Sequence, residues 1–394
     1  MSTQALPLAA GARPTCRYDL WLLGTAVALL ALGVVMVGSA SMAIAERIND
    51  QPFYYVIRQL IFCGLGVGMA LLVLRVPIGV WERLSTLLLI VGLLLLVLVL
   101  VPGVGRTVNG SMRWLSMGLF NVQPSELMKL AMVMYLAGYI VRREAEVRSR
   151  FTGFLKPGLL LALAAGLLLL EPDFGAVAVL AATSLGMLFL GGARLWQFAL
   201  IVVVAGAGLA GIAISSPYRL ERLTSFLDPW AEAYSSGYQL TQALIAFGRG
   251  EWLGVGLGSG VQKLFYLPEA HTDFVFAVLA EELGLLGAFV VLGLFAVVVW
   301  RTFAIGARAF AAGRPYAAYL TYGIGLWVGL QVVISIGVNT GLLPTKGLTL
   351  PLISYGGSSL IVNCIALALV LRVDHELRTD ERVAKPSRDA GGTP

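Results

Sequence analysis

Residues 79–101 read GVWERLSTLLLIVGLLLLVLVLV, with no charged side chain after Arg83. About 20 such residues wound as a helix match the hydrocarbon thickness of a bilayer. Lipid offers no water to backbone N–H and C=O groups, so such a run must close its hydrogen bonds within itself, as a helix. The pattern recurs near 20–43, 54–76, 124–141, 157–171, 174–191, 194–214, 274–300, 315–340 and 349–371. The 394 residues are only 13% charged, about half the share in a soluble domain. The expected fold is all-α and polytopic, with about ten transmembrane helices.

Three regions follow: an N-tail at 1–19, a transmembrane domain at 20–372, and a tail at 373–394 that is charged, then rich in Gly, Pro and Ser. Such a tail is expected to be disordered. Most of the 28 Lys and Arg fall in the N-tail, the loops after even-numbered spans and the C-tail. Short loops rich in Lys and Arg stay cytoplasmic, so both termini are expected inside. The net charge of +6 is this topological signal and does not imply nucleic acid. The large loop at 215–273, between spans 7 and 8, then lies on the extracytoplasmic side. Loops of that length are usually functional. Within it YQLTQALIAF (238–247) has the spacing of a short amphipathic helix lying at the interface. Cys16, Cys63 and Cys364 are scattered, with no CxxC and no Cys/His spacing. That indicates neither a zinc site nor a disulfide framework.

The densest polar chemistry lies in PEAHTDFVFAVLAEELG (268–284), where the loop meets an apolar helix and Asp273 stands beside His271. Asp273 has two readings. It is a favoured helix N-cap, or a general base. Against the second, a helix dipole lowers a carboxyl pKa unless burial offsets it. Glu281 and Glu282 follow about 12 Å along the helix, too far for a close dyad with Asp273. Inside a membrane they must pair or face a cavity. Arg58 and Lys129 are cations within spans, and Glu126 stands one turn before Lys129. They make either a neutralising i,i+3 pair or a cationic pocket for a lipid headgroup or pyrophosphate. Asp173, in EPDFG, marks a break between spans where freed backbone groups need a cavity or neighbours. The segment 341–360 is an ordinary turn or re-enters from the outer face, which would bring Lys346 there. The alternating glycines of GVGLGSG (254–260) loosely imitate a dinucleotide fingerprint but lack its βαβ context.

Together EAHTDFVFAVLAEELG, PSELMKLA, EPDFGA, YQLTQALIAFGRG and LPTKGLTLPLISYGGSSL carry a resemblance. The chain resembles the SEDS family of bacterial cell-wall polymerases over residues 20–372, and its division branch more than the elongation or sporulation branches. The resemblance implies a peptidoglycan glycosyltransferase of the inner membrane at the division septum, polymerising lipid II with inversion. It implies Asp273 as the catalytic base, and sensitive substrate-binding positions at Arg58, Glu126, Lys129, Asp173 and Gln242. His271 and Lys346 join that set by their placement. Where the family has a QPDLG-type motif this chain has EPDFG, so Glu171 replaces an amide. The resemblance also suggests a divalent cation, Mg or Mn. Implied partners are a cognate class B transpeptidase (FtsI), the FtsQ–FtsL–FtsB assembly and FtsN. Two other functions compete: a transporter (flippase) of lipid-linked precursor, and a non-catalytic scaffold of the division complex.

Overall fold

The structure is a computed structural model that describes residues 18–384 except 109–110, 117, 119–120, 195, 200–202, 204–205, 207–227, 236 and 345–346. The expected seventh span and the first part of the large loop lie mostly outside the described residues, as do Lys346, nearly all of the N-tail and the end of the C-tail.

Eleven helices are described: α1 Leu20–Asn49, α2 Tyr54–Arg75, α3 Ile78–Val99, α4 Pro124–Arg142, α5 Glu144–Ser149, α6 Phe151–Leu170, α7 Phe174–Leu190, α8 Tyr238–Gly250, α9 Val275–Ala311, α10 Pro315–Asn339 and α11 Gly357–Ala384. Their starts follow local chemistry. Asp19 caps α1 by accepting from Leu22 N at 2.9 Å. Proline opens α4 and α10, where its missing N–H costs nothing. Among the described residues, α1, α2, α3, α6, α9, α10 and α11 are long and apolar enough to cross a membrane. The apolar α7 has 17 residues. The centrally packed α4 carries Glu126, Lys129 and Arg142, which lower its apolar character.

The helical, polytopic fold expected from the sequence is present, with one addition and two changed boundaries. β1 (Gly105–Val108), β2 (Ser111–Ser116) and β3 (Asn121–Val122) form a small antiparallel sheet in the order β1-β2-β3. The final helix starts at Gly357 rather than near 349, because Pro351 and the Gly356–Gly357 pair keep that stretch non-helical. The eighth span runs on to Ala311 and is broken at Gly284, whose φ is 67°.

The core sits where α4 and α10 pack together, with α7 and α11 against them. The outer helices α2 and α3 turn leucines such as Leu71, Leu72, Leu87 and Leu94 outward. Without water, that apolar surface is at home only in lipid. At one end of the bundle, Asp19 pairs with Arg301 and Arg378, and Asp374 pairs with Arg308 and Arg378, joining α1, α9 and α11. At the other end lie the sheet, the α6–α7 turn, the loop before α9 and the segment before α11. The candidate site is built there.

Candidate active site

Asp273 does not cap α9. The helix begins at Val275 with Phe274 at the cap position and no side-chain cap bond. The plainer of its two sequence readings therefore fails. Its carboxylate makes no hydrogen bond or ion pair among the described residues. It is half-buried, yet protein surrounds it closely enough to push its pKa up to about 7. Burial is the largest cause, nearby Glu269 raises it further, Arg113 opposes the rise and Asp173 adds to it. Burial thus outweighs the helix dipole. Across from it, a Cβ on Gly347 would come 3.0 Å from Asp273 Oδ2. A side chain there would crowd the carboxylate.

His271 is buried, and its Nδ1 has no hydrogen-bond partner among the described residues. Burial holds its pKa down despite Glu269, so the ring is neutral at physiological pH. It packs in an aromatic cluster, 4.6 Å from the Tyr55 ring and 5.7 Å from that of Tyr355. Tyr355 N donates to His271 O at 2.9 Å, which ties the segment before α11 to the Asp273 loop. Half-buried Arg58 borders the cluster, 4.9 Å over the Tyr54 ring and hydrogen-bonded to Tyr355.

Asp173 caps α7 through Ala176 N at 3.1 Å and also accepts from Gln123 Nε2 (3.3 Å) and Ser125 Oγ (3.2 Å). On β2, Arg113 donates to the carbonyls of Glu171 (3.0 Å) and Pro172 (2.5 Å). Sequence reasoning missed Arg113, since nothing in the loop before α4 announced a strand. Glu171 is fully buried, and among the described residues both its carboxyl oxygens lack a hydrogen-bond partner. Burial first, then Asp173, pushes its pKa up to about 8 against the pull of Arg113.

Deeper in the bundle, Lys129 is 2% exposed. It donates to Glu126 Oε1 at 2.9 Å and Gln331 Oε1 at 2.8 Å, and lies 5.2 Å from the Trp327 ring. The i,i+3 pair foreseen from sequence is present, and the ammonium is committed to it. Gln242 sits half-buried on α8, the amphipathic helix expected at 238–247, which packs against α9.

Glu281 and Glu282 are fully buried. Glu281 accepts from Val261 N (3.0 Å) and Gln262 N (3.1 Å) and pairs with Arg249 at 3.6 Å. Glu282 pairs with Lys263 at 2.5 Å and accepts from Ser39 Oγ (2.7 Å) and Gly258 N (3.1 Å). They fasten the loop to α9 and α1. The glycine run fits round them: a Cβ on Gly254 (φ 79°) would lie 2.1 Å from Glu282 O. Close approach at Gly254 and Gly260, and left-handed backbone at Gly256 (φ 100°) and Gly258 (φ 82°), explain the alternating glycines, and no nucleotide is needed.

A polytopic helical bundle that gathers acids, arginines and aromatics at one end defines a membrane enzyme acting at the bilayer surface. The family model described as "Cell cycle protein", covering FtsW, RodA and SpoVE, matches residues 20–379, and the chain belongs to this family. A "Probable peptidoglycan glycosyltransferase FtsW" of Nitrosococcus halophilus is 63% identical, covering 91% of this chain and 93% of that relative. A chain solved in a study of polymerization and crosslinking by a peptidoglycan synthase complex has a TM-score of 0.75 and 34% identity, covering 91% of this chain and 98% of that one. The rod shape determining protein RodA of Thermus thermophilus has a TM-score of 0.67 and 32% identity, covering 92% and 99%. The chain is a multi-pass membrane protein.

Proposed function

We propose that this chain is a peptidoglycan glycosyltransferase of the FtsW type that polymerises lipid II, with Asp273 as general base. The observation that carries this reading is the Asp273 carboxylate, without a hydrogen-bond or ion-pair partner among the described residues and raised to about 7 by burial. A base poised near the working pH is the optimum for removing a hydroxyl proton. The acceptor sugar's 4-hydroxyl attacks the anomeric carbon of the donor. The new C–O bond forms as the bond from that carbon to the pyrophosphate oxygen breaks. The hydroxyl proton passes to Asp273, and undecaprenyl pyrophosphate leaves with the electron pair. One displacement turns the α-linked donor into a β-linked product, so no covalent enzyme intermediate is required.

Arg58, at the rim of the aromatic cluster, is better placed than buried Lys129 to meet the negative charge growing on the pyrophosphate. Lys129 and Glu126 support the pocket from behind. Asp173, Gln242, His271 and Lys346 remain the proposed substrate-contact positions. Among the described residues there is no cluster of three His, Cys, Asp or Glu suited to a metal ion. A divalent cation, Mg or Mn, would therefore enter with the substrate's pyrophosphate and share one or two carboxylates, as Mg commonly does. The proposed setting is the inner membrane at the septum, with both termini cytoplasmic. A cognate class B transpeptidase would supply crosslinking, with FtsQ–FtsL–FtsB and FtsN as regulators.

The deciding experiment is lipid II polymerisation by the full chain co-purified with that transpeptidase, comparing wild type with Asp273→Ala. Strands from wild type alone are expected. Equal strands from both would remove Asp273 from its role. No strands from a folded wild-type complex would favour transport or scaffolding.

A further inference from the structure

We infer that Asn339 is the positioning residue for Asp273: it caps α9 in that residue's place and so leaves the Asp273 carboxylate free. The inference rests on reading Asp273 as the base. Trp327, Gln331, Ser335 and Asn339 recur every four residues along α10 and are all buried. Residues four apart share one helix face, so they form a stripe. The polar members reach sideways into the non-helical backbone of the site. Gln331 Nε2 donates to Thr349 O at 2.9 Å, and Ser335 Oγ to Leu348 O at 3.3 Å. Asn339 Nδ2 donates to Asp273 O at 2.9 Å, while its Oδ1 accepts from Ala277 N at 3.2 Å. One face of one helix thus holds two segments that face each other at the site, the one bearing Gly347 and the turn bearing Asp273.

The bond to Ala277 N is the informative one. The first N–H groups of a helix lack the usual i−4 partners, and the Ala277 N–H is shared between Phe274 O at 3.0 Å and Asn339 Oδ1. A capping side chain usually supplies an acceptor there, and Asp is among the best. Asp273 lies beside this helix start but makes no such bond. Asn339 provides an acceptor from a different helix, and its amide simultaneously holds the Asp273 carbonyl. Only a short side chain carrying both a donor and an acceptor can do both. Its amide also donates to Ser335 O at 2.8 Å, which fixes its orientation. With α9 capped from outside, the Asp273 carboxylate stays opposite Gly347, facing the charges of Glu269, Asp173 and Arg113.

The test measures kcat, KM and the pH profile of lipid II polymerisation by the full-length chain with its transpeptidase. Asn339→Leu removes donor and acceptor at similar size. Asp273 is then expected to turn and cap α9, which lowers its pKa. Expected are a kcat reduced about tenfold or more, KM within about twofold, and an acid limb moved to lower pH. Asn339→Asp keeps the acceptor but loses the donor and adds a negative charge, so its acid limb is expected to move to higher pH. A slower enzyme with an unmoved profile in both variants means a merely structural role and overturns the inference. Wild-type kinetics in Asn339→Leu, with Asp273→Ala inactive, also overturn it while leaving the base reading intact. Wild-type activity in Asp273→Ala removes the base reading itself. If Asn339→Leu does not fold, the direction of shift in Asn339→Asp decides.

Discussion

Two carboxyls at the sheet-bearing end of the bundle are pushed upward for the same reason, removal from water, yet they have opposite consequences. Asp273 at about 7 must lose its proton before it can accept another, so kcat/KM should rise tenfold per unit as pH climbs toward 7 and flatten above it. A profile flat from about pH 5.5 to 8.5 would show that this group is not the titrating base. The Glu171 oxygens have no hydrogen-bond partner among the described residues, and a pKa of about 8 keeps the group neutral at pH 7. A carboxyl raised in the fold binds its proton more tightly there than in the unfolded chain. Its favourable contribution is therefore complete at low pH and is lost as pH rises from the ordinary carboxylate range toward 8. Glu171→Gln keeps the shape and removes the ionisation. Its melting temperature in detergent should match wild type near pH 5 and exceed it increasingly toward pH 8. The widening corresponds to about 1.4 kcal/mol per unit as an order of magnitude. A gain independent of pH would mean that Glu171 is ionised in the fold or paired.

At the scale of elements, the loop that delivers Asp273 is fastened by Lys263, Glu282 and Ser39, three residues from three parts of the chain. Removing one member of a buried ion pair strands the other and typically costs about 3–5 kcal/mol. Lys263→Met and Glu282→Gln should each lower the melting temperature and open residues 250–272 to protease, and the double variant should recover most of the loss. Additive losses in that cycle would mean that the pair is not coupled. Sequence showed that Glu281 and Glu282 must pair or face a cavity, because their cost in a membrane is visible from hydropathy alone. It did not show with whom, since Lys263 and Ser39 are 19 and 243 residues away from Glu282. The Glu126–Lys129 pair was legible because both members lie on one helix at a known spacing. The ladder from Gln331 to Asn339 was written in α10 as polar residues every four positions, but its partners are backbone carbonyls, which carry no sequence signal. Of the two readings of Asp273, the helix cap fails, because the side chain that caps α9 comes from α10.

For the whole molecule, the bundle sorts its charges by end. The end holding the α4–α6 turn and the C-terminal ends of α9 and α11 carries Arg142, Arg143, Arg148, Arg150, Arg301, Arg308, Arg314, Arg372 and Arg378. The opposite end carries Asp273, Asp173, Arg58, the sheet and the described part of the large loop. A membrane potential and an insertion machinery that retain positive loops inside would place the arginine-rich end in the cytoplasm. Lipid II polymerisation requires the other end to face outward, where the assembled precursor is displayed. The two arguments are independent and agree. Tyr234 in the large loop is 99% exposed, and Arg150 is exposed at the arginine-rich end. In a background with Cys16, Cys63 and Cys364 replaced by serine, Tyr234→Cys should react with a membrane-impermeant maleimide in intact spheroplasts. Arg150→Cys should react only after lysis. The reverse pattern would turn the molecule over, put Asp273 in the cytoplasm, and remove polymerisation at the outer surface as its function whatever the chemistry of the site.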